Sequence, residues 1–180
     1  MQKNIVQLGD KHLRVVSRQI LEEEIKSTKF QKSLKDLKDT LDSADDGLAI
    51  SAPQIGENMR VFIVSPKMFD EKYIAGNKKE WDKKIKHLVV INPKIISLSI
   101  DKDIKEEGCL SIRGVFGKVK RSTKAKIRAL DENGKTFERG ASGLLARVFQ
   151  HEIDHLNGIL FIDKAKVLND ENGKVIKLTK

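Results

Sequence analysis

The stretch Gln150-His151-Glu152-Ile153-Asp154-His155 decides how the rest of the chain is read. Histidines four residues apart on an α-helix point the same way, about 40° apart around the axis, so both rings reach one metal ion. Glu152 lies about 100° round from His151. It is poorly placed as a third ligand and well placed to touch a water on that metal. This is the pattern of a hydrolytic metal site, with two imidazole ligands and a carboxylate as general base. Short motifs also arise where both histidines are ordinary helix residues, so the flanking sequence has to decide. Ser142 is a candidate N-cap and Gly158 a candidate stop, which predicts a helix over 143–157. Leu145, Phe149 and Leu156 fall on a core face. Leu144 and Val148 continue the His151–His155 row by one and two turns, and Arg147 flanks it.

Such a site needs a third protein ligand and an open position for water. The zinc-peptidase pattern HExxHxxGxxH is matched through Gly158 and then fails, because its last ligand would fall at Phe161. No histidine follows His155. Asp163 suits by residue type but follows an expected strand. Upstream, Cys109 suits by chemistry: a thiolate fits Fe(II) or Zn(II). With two neutral imidazoles it would leave a net charge of about +1, which a hydroxide neutralises.

Composition narrows the class. The chain has 180 residues, enough for one domain with a core, and a single cysteine, so its fold does not depend on an internal disulfide. A net charge of +9 favours polyanions. The lysines are dispersed among acids, however, and aromatics make up 5%, too few for base-stacking platforms. No sequence-specific nucleic-acid binding is expected, and weak attraction to a ribosome stays open. No apolar run nears the roughly 20 residues of a membrane span, and residues 1–10 lack a secretory apolar core. A cytoplasmic protein without membrane contact is expected.

Along the chain, residues 12–16 read as a short extended segment. Phe30, Leu34, Leu37 and Leu41 recur at helical spacing, predicting a packing helix that ends near Ser43–Asp46. Residues 47–56, GLAISAPQIG, read as a close-packed loop in which Gln54 alone has a long polar side chain. Residues 60–65 read as a strand, 66–86 as a charged surface insertion with an exposed His87 at its end, and 88–92 and 94–100 as strands kinked or edged by Pro93. Residues 119–121 and 125–130 look extended, with a hairpin through Asn133-Gly134, and Asn172-Gly173 marks a small hairpin or frayed tail. No repeat or linker divides residues 1–180, so one catalytic domain is expected.

Three stretches, in order, resemble the motifs of the peptide deformylases: GxGxAAxQ at Gly47–Gln54, EGCLS at Glu107–Ser111, and QHExDH at Gln150–His155. The resemblance covers about residues 8–164 and implies an α+β fold, with an N-terminal helix and antiparallel sheets around the helix bearing HExxH. It implies removal of the formyl group from the N-terminal formyl-methionine of new polypeptides. Cys109, His151 and His155 would bind Fe(2+), with Zn(2+), Ni(2+) or Co(2+) as substitutes. Glu152 would move the proton from water to the leaving amine, while the Gln54 amide and the Leu110 N–H stabilise the oxyanion. Leu48, Leu144 and Val148 would line the methionine pocket, and backbone at Leu48, Ala49 and Gly108 would hold the peptide. Glu107 and Arg121 would pair behind the cysteine, and Asp154 would brace the helix. A monomer acting on formyl-methionyl peptides is the expectation.

The chain departs from that pattern in two places. Ala49 replaces the second glycine of the first motif, and Ser51 replaces its first alanine. If residue 49 needs a glycine conformation, substrate affinity falls. Two other readings follow: a zincin-type metallopeptidase, against which Phe161 argues, and an inactive deformylase-like binding protein that keeps its metal. The stretch 66–86 is also long for the family, and the tail lacks the long basic helix that some bacterial members use at the ribosome.

Overall fold

A computed structural model describes residues 1–70 and 84–177. Two antiparallel sheets and two full-length helices make up most of it. The first sheet has the order β1-β2-β3-β6-β7, with β1 Ala49–Ser51, β2 Val61–Val64, β3 Leu88–Leu98, β6 Lys124–Leu130 and β7 Thr136–Ser142. The second has the order β4-β5-β8-β9, with β4 Lys102–Cys109, β5 Ile112–Ser122, β8 Leu168–Asp170 and β9 Val175–Ile176. Helix α1 is Thr28–Asp42 and α2 is Gly143–Leu156.

The strand β2 shows why the first sheet carries helices on both faces. All four of its residues are apolar and fully buried, as expected of a strand covered on both sides. Val61 and Ile63 join Phe30, Leu34, Leu37 and Leu41 of α1 in one core, whereas Phe62 and Val64 join Val148, Phe149, Ile153 and Leu156 of α2 in the other. A third cluster, with Ile112, Val119, Leu160 and Phe161, closes the second sheet. Helix α2 is thus pinned by the first sheet along its apolar face, and its histidines project toward the end of β4.

Helix ends follow local chemistry. The Ser27 hydroxyl accepts the Phe30 N–H at the start of α1. Ser142 occupies the N-cap position of α2, but its side chain makes no capping bond. At the far end Gly158 adopts φ +72°, and a Cβ there would lie 2.7 Å from the Arg14 carbonyl oxygen. Gly158→Ala is therefore expected to lose about 2 kcal/mol or more, from the left-handed backbone and the backbone clash together. Urea unfolding of the variant checks this.

Four local expectations change. Residues 11–14 form a 3-10 turn, not an extended segment, because the Asp10 carboxylate accepts the His12 N–H at 2.8 Å. Part of the expected loop at 47–56 is strand β1, followed by a 3-10 turn over Ala52–Ile55. Residues 88–98 are one strand inside the sheet: Pro93 sits at a bulge between Ile91 and Lys94, where Asn92 takes φ 51° and exchanges two hydrogen bonds with the Ile20 backbone. His87 is mostly covered and pairs with Asp42 at 2.8 Å. Most of the expected charged insertion at 66–86 lies outside the described residues. The tail does form a hairpin, β8–β9, across Asn172-Gly173. Among the described residues, no helix is long and apolar enough to cross a membrane.

Candidate metal centre

The pairing of β4 with β5 slips between Glu107 and Cys109. An irregularity of this kind re-aims side chains, and here the Cys109 thiol meets α2. The Cys109 sulfur and one ring nitrogen from each of His151 and His155 lie within 4.8 Å of one another. The sulfur is 3.2 Å from His155 Nε2. The two rings are 5.0 Å apart between centroids and edge-on to each other. His151 Nδ1 is 3.0 Å from Glu107 Oε2, which leaves its Nε2 to face the cluster. One thiol and two imidazoles form a donor set for Fe(II) or Zn(II). A cavity of about 640 Å³ opens onto Cys109, His151, Glu152 and Gln54, so the cluster has an accessible side. Asp163, the other ligand candidate, pairs instead with Arg14.

Burial sets the protonation states. His151 is pressed toward neutrality by burial, yet the Cys109 thiol and Glu107 carboxylate outweigh that and raise it to about 10. Burial, with the adjacent His151 charge, holds His155 well below its usual value. Glu152 is buried, and burial raises its carboxyl to about 7 against the pull of His151. Its Oε2 and the His155 Nδ1 have no hydrogen-bond partner among the described residues. A buried carboxylate oxygen left open beside three metal-type donors fits a group that meets water or substrate. A metal must displace the proton from His151, whose raised value keeps that proton bound at neutral pH. Apparent affinity is therefore expected to weaken as pH falls, the more so because the cysteine binds a metal as thiolate. Competition titrations between pH 6 and 8 measure the slope, and a flat profile would contradict it.

Around the cluster runs a chain of alternating charge. Asp103 binds Arg147 at 2.5 Å, Arg147 binds Glu107 Oε1 at 2.6 Å, and Arg121 clamps both Glu107 oxygens at 2.6 and 2.8 Å. Arg121 also binds Asp154 at 2.6 Å, and Asp154 binds Lys164 at 2.6 Å. Three anions and three cations thus tie β4 and β5 to α2. Glu107, at the middle, is pushed up by burial but held far below the carboxylate range by Arg121 and His151.

Gln54 points its amide nitrogen at the Cys109 sulfur, 3.5 Å away, and at the Ser111 hydroxyl, 3.3 Å away. Leu110 follows Cys109 on the same wall. Leu48, Ala49 and Gly108 also line the cavity, and Leu144 and Val148 line it from α2. The strands carrying Ala49 and Gly108, β1 and β4, are both edge strands of their sheets, so each presents unpaired backbone.

Sequence reasoning missed three contributors. Arg147 was noted only as flanking the histidine row, one turn before His151. Ser51 enters the sequence reading only as a replacement for the motif's first alanine. The N-terminal segment gave no signal, yet Val6 donates to the Gln54 carbonyl at 2.9 Å, Leu8 to that of Ser111 at 2.9 Å, and the Gln7 side chain to that of Leu110 at 3.2 Å.

The family model described as polypeptide deformylase matches residues 2–171. A peptide deformylase of Prochlorococcus marinus strain NATL2A is 38% identical, over 97% of this chain and 84% of that protein. One from Halothermothrix orenii is 40% identical, over 93% and 96%. The Met-Ala-Ser-bound crystal structure of a class I type b peptide deformylase from Acinetobacter baumannii superposes with a TM-score of 0.77 at 29% identity, covering 91% of this chain and 98% of that one. On these matches, which span nearly its whole length, the chain belongs to the polypeptide deformylase family.

Proposed function

We propose that Cys109, His151 and His155 hold the metal, Fe(2+) in the cell, with which this enzyme hydrolyses formyl-methionyl peptides. The family reaction is metal-dependent removal of the N-formyl group from new polypeptides, with release of formate. The observation that carries the assignment is the convergence of one sulfur and two ring nitrogens within 4.8 Å, beside the buried Glu152 and on the cavity that Gln54 lines.

When bound, the ion supplies Lewis acidity, which lowers the pKa of water and polarises a carbonyl. The residues of the chain do the rest. The peptide lies between the edges of β1 and β4 and pairs with backbone at Leu48–Ala49 and Gly108 like an added strand. Leu48, Leu144 and Val148 receive the methionine side chain. Water attacks the formyl carbon as Glu152 takes its proton, and the C–N bond breaks as Glu152 delivers that proton to the amine. The Gln54 amide and the Leu110 N–H donate to the oxygen on which charge develops. Glu107 orients His151, and Arg121 holds Glu107.

The wider reading is one catalytic domain over residues 1–180, organised around α2, monomeric and cytoplasmic. Its +9 charge supports weak ribosome contact. The test is an anaerobic formate-release assay on formyl-Met-Ala-Ser, with metal analysis of the same sample. Formate release should track metal content. Turnover of unformylated peptides with formyl-Met-Ala-Ser untouched would favour the metallopeptidase reading instead. Cys109→Ser is expected to lower iron affinity sharply, because a hard hydroxyl replaces a soft thiolate; unchanged metal content would remove Cys109 from the site.

The geometry at residue 49 argues against the inactive binding protein. Ala49 pairs with Val64 in β1, its side chain joins the core beneath α2, and among the described residues Asn92 alone of the non-glycines has positive φ. A glycine conformation is not required there. Ala49→Gly should keep kcat/KM within about twofold and lose about 0.5–1 kcal/mol of stability. Activity appearing only in that variant would revive the binding-protein reading.

A further inference from the structure

Gln54 and Ser51 are both buried, at 1% and 0% exposure, so the orientation of the Gln54 amide is set by protein groups. Its oxygen accepts two hydrogen bonds from one residue: the Ser51 N–H at 2.9 Å and the Ser51 hydroxyl at 3.0 Å. A backbone N–H only donates, so the amide atom facing it must be the oxygen. Flipping the amide would set its NH2 against that donor and turn its oxygen toward the Cys109 sulfur. Both acceptor positions of the oxygen are occupied by Ser51, and the two N–H bonds are left facing Cys109 and Ser111. Bonds accepted at the oxygen also polarise the amide and strengthen its N–H donors.

We propose that Ser51 is a positioning residue for deformylation, its hydroxyl locking and polarising the Gln54 amide so that Nε2 donates to the developing oxyanion. This rests on the reading of Gln54 as an oxyanion donor. The hydroxyl is the part specific to this side chain, since the backbone N–H would persist in any replacement. Its benefit grows as negative charge builds on the substrate oxygen, so it acts on kcat more than on KM.

The test is a double-mutant cycle on formyl-Met-Ala-Ser at matched metal content: wild type, Ser51→Ala, Gln54→Ala and the double variant. Ser51→Ala should lower kcat by about three- to tenfold, the scale of one hydrogen bond, with KM within about twofold. In the Gln54→Ala background the same change should lower kcat no further. An equal fall in both backgrounds, or no fall in the first, overturns the proposal. A second readout is independent of turnover. In zinc-substituted protein, side-chain amide hydrogen exchange at Gln54 should quicken in Ser51→Ala, and unchanged exchange overturns the lock. Should wild type release no formate, the assigned reaction fails on its own, and the exchange measurement still decides whether Ser51 holds the amide.

Discussion

Replacing Glu152 with alanine is expected to leave the metal bound and to lower kcat by about 10²- to 10⁴-fold, the usual contribution of a general acid–base. Three features of the residue lead there. Its carboxyl lies on the cavity shared with Cys109, His151 and Gln54. One of its oxygens is buried without a hydrogen-bond partner among the described residues, so no structural bond occupies it. Burial raises the group to about 7, where it both accepts and returns a proton near neutral pH. Glu152→Gln is the stricter variant, because it keeps shape and hydrogen bonding while removing the proton site. Both variants should retain metal, since the thiol and both imidazoles remain, and KM should change little. Full activity in either variant would end the general-base role. Loss of metal along with activity would make Glu152 part of the donor set instead.

The helix row and the cores were legible in the sequence, because periodicity reports burial directly. Leu145, Phe149 and Leu156 marked the face of α2 that meets the first sheet, and Leu144 and Val148 marked the face beside the histidines. By residue type the cysteine was one of two candidates and the family resemblance favoured it; the fold supplies the physical reason, since the slip in β4 turns Cys109 toward α2, while Arg14 engages Asp163. Residues 47–56 misled because small residues and glycines look alike in a loop and in a short edge strand. The Ala49–Ser51 strand exists because β2 pairs with it, a tertiary cause that no local pattern shows. The same holds for Arg147, whose partners Glu107 and Asp103 lie far back in the chain. A lone arginine on a helix carries no sign of whom it will meet.

Arg121→Ala should have the largest effect on stability, about 3–5 kcal/mol at neutral pH, the range for removing one member of a buried charge network. The Arg121 side chain is 3% exposed and stands between two carboxylates, Glu107 and Asp154. Without it, Glu107 keeps Arg147, Asp154 keeps Lys164, and both lose the cation they share. The pH dependence gives the sign. Glu107 is held well below its unfolded value near 4.5, so its contribution is present above that pH and fades as pH falls toward the folded value. In Arg121→Ala the folded value rises and that contribution shrinks. The deficit is therefore greatest near pH 7 and narrows below about pH 5, where the unfolded chain begins to take up the proton as well. Urea unfolding at pH 7 and pH 3.5 measures the difference, and a deficit that does not depend on pH would point to lost packing alone. The metal centre should register the change separately. Glu107 Oε2 meets His151 Nδ1 at 3.0 Å, and a carboxylate no longer clamped orients that ring less well. Metal affinity should fall by about 10- to 100-fold, the range seen when such outer partners are removed. Glu107→Gln should share the loss of affinity, because it reaches the same ring by the same contact. If Arg121→Ala is destabilised but binds metal as tightly as wild type, the charge chain supports the fold and leaves the donors untouched.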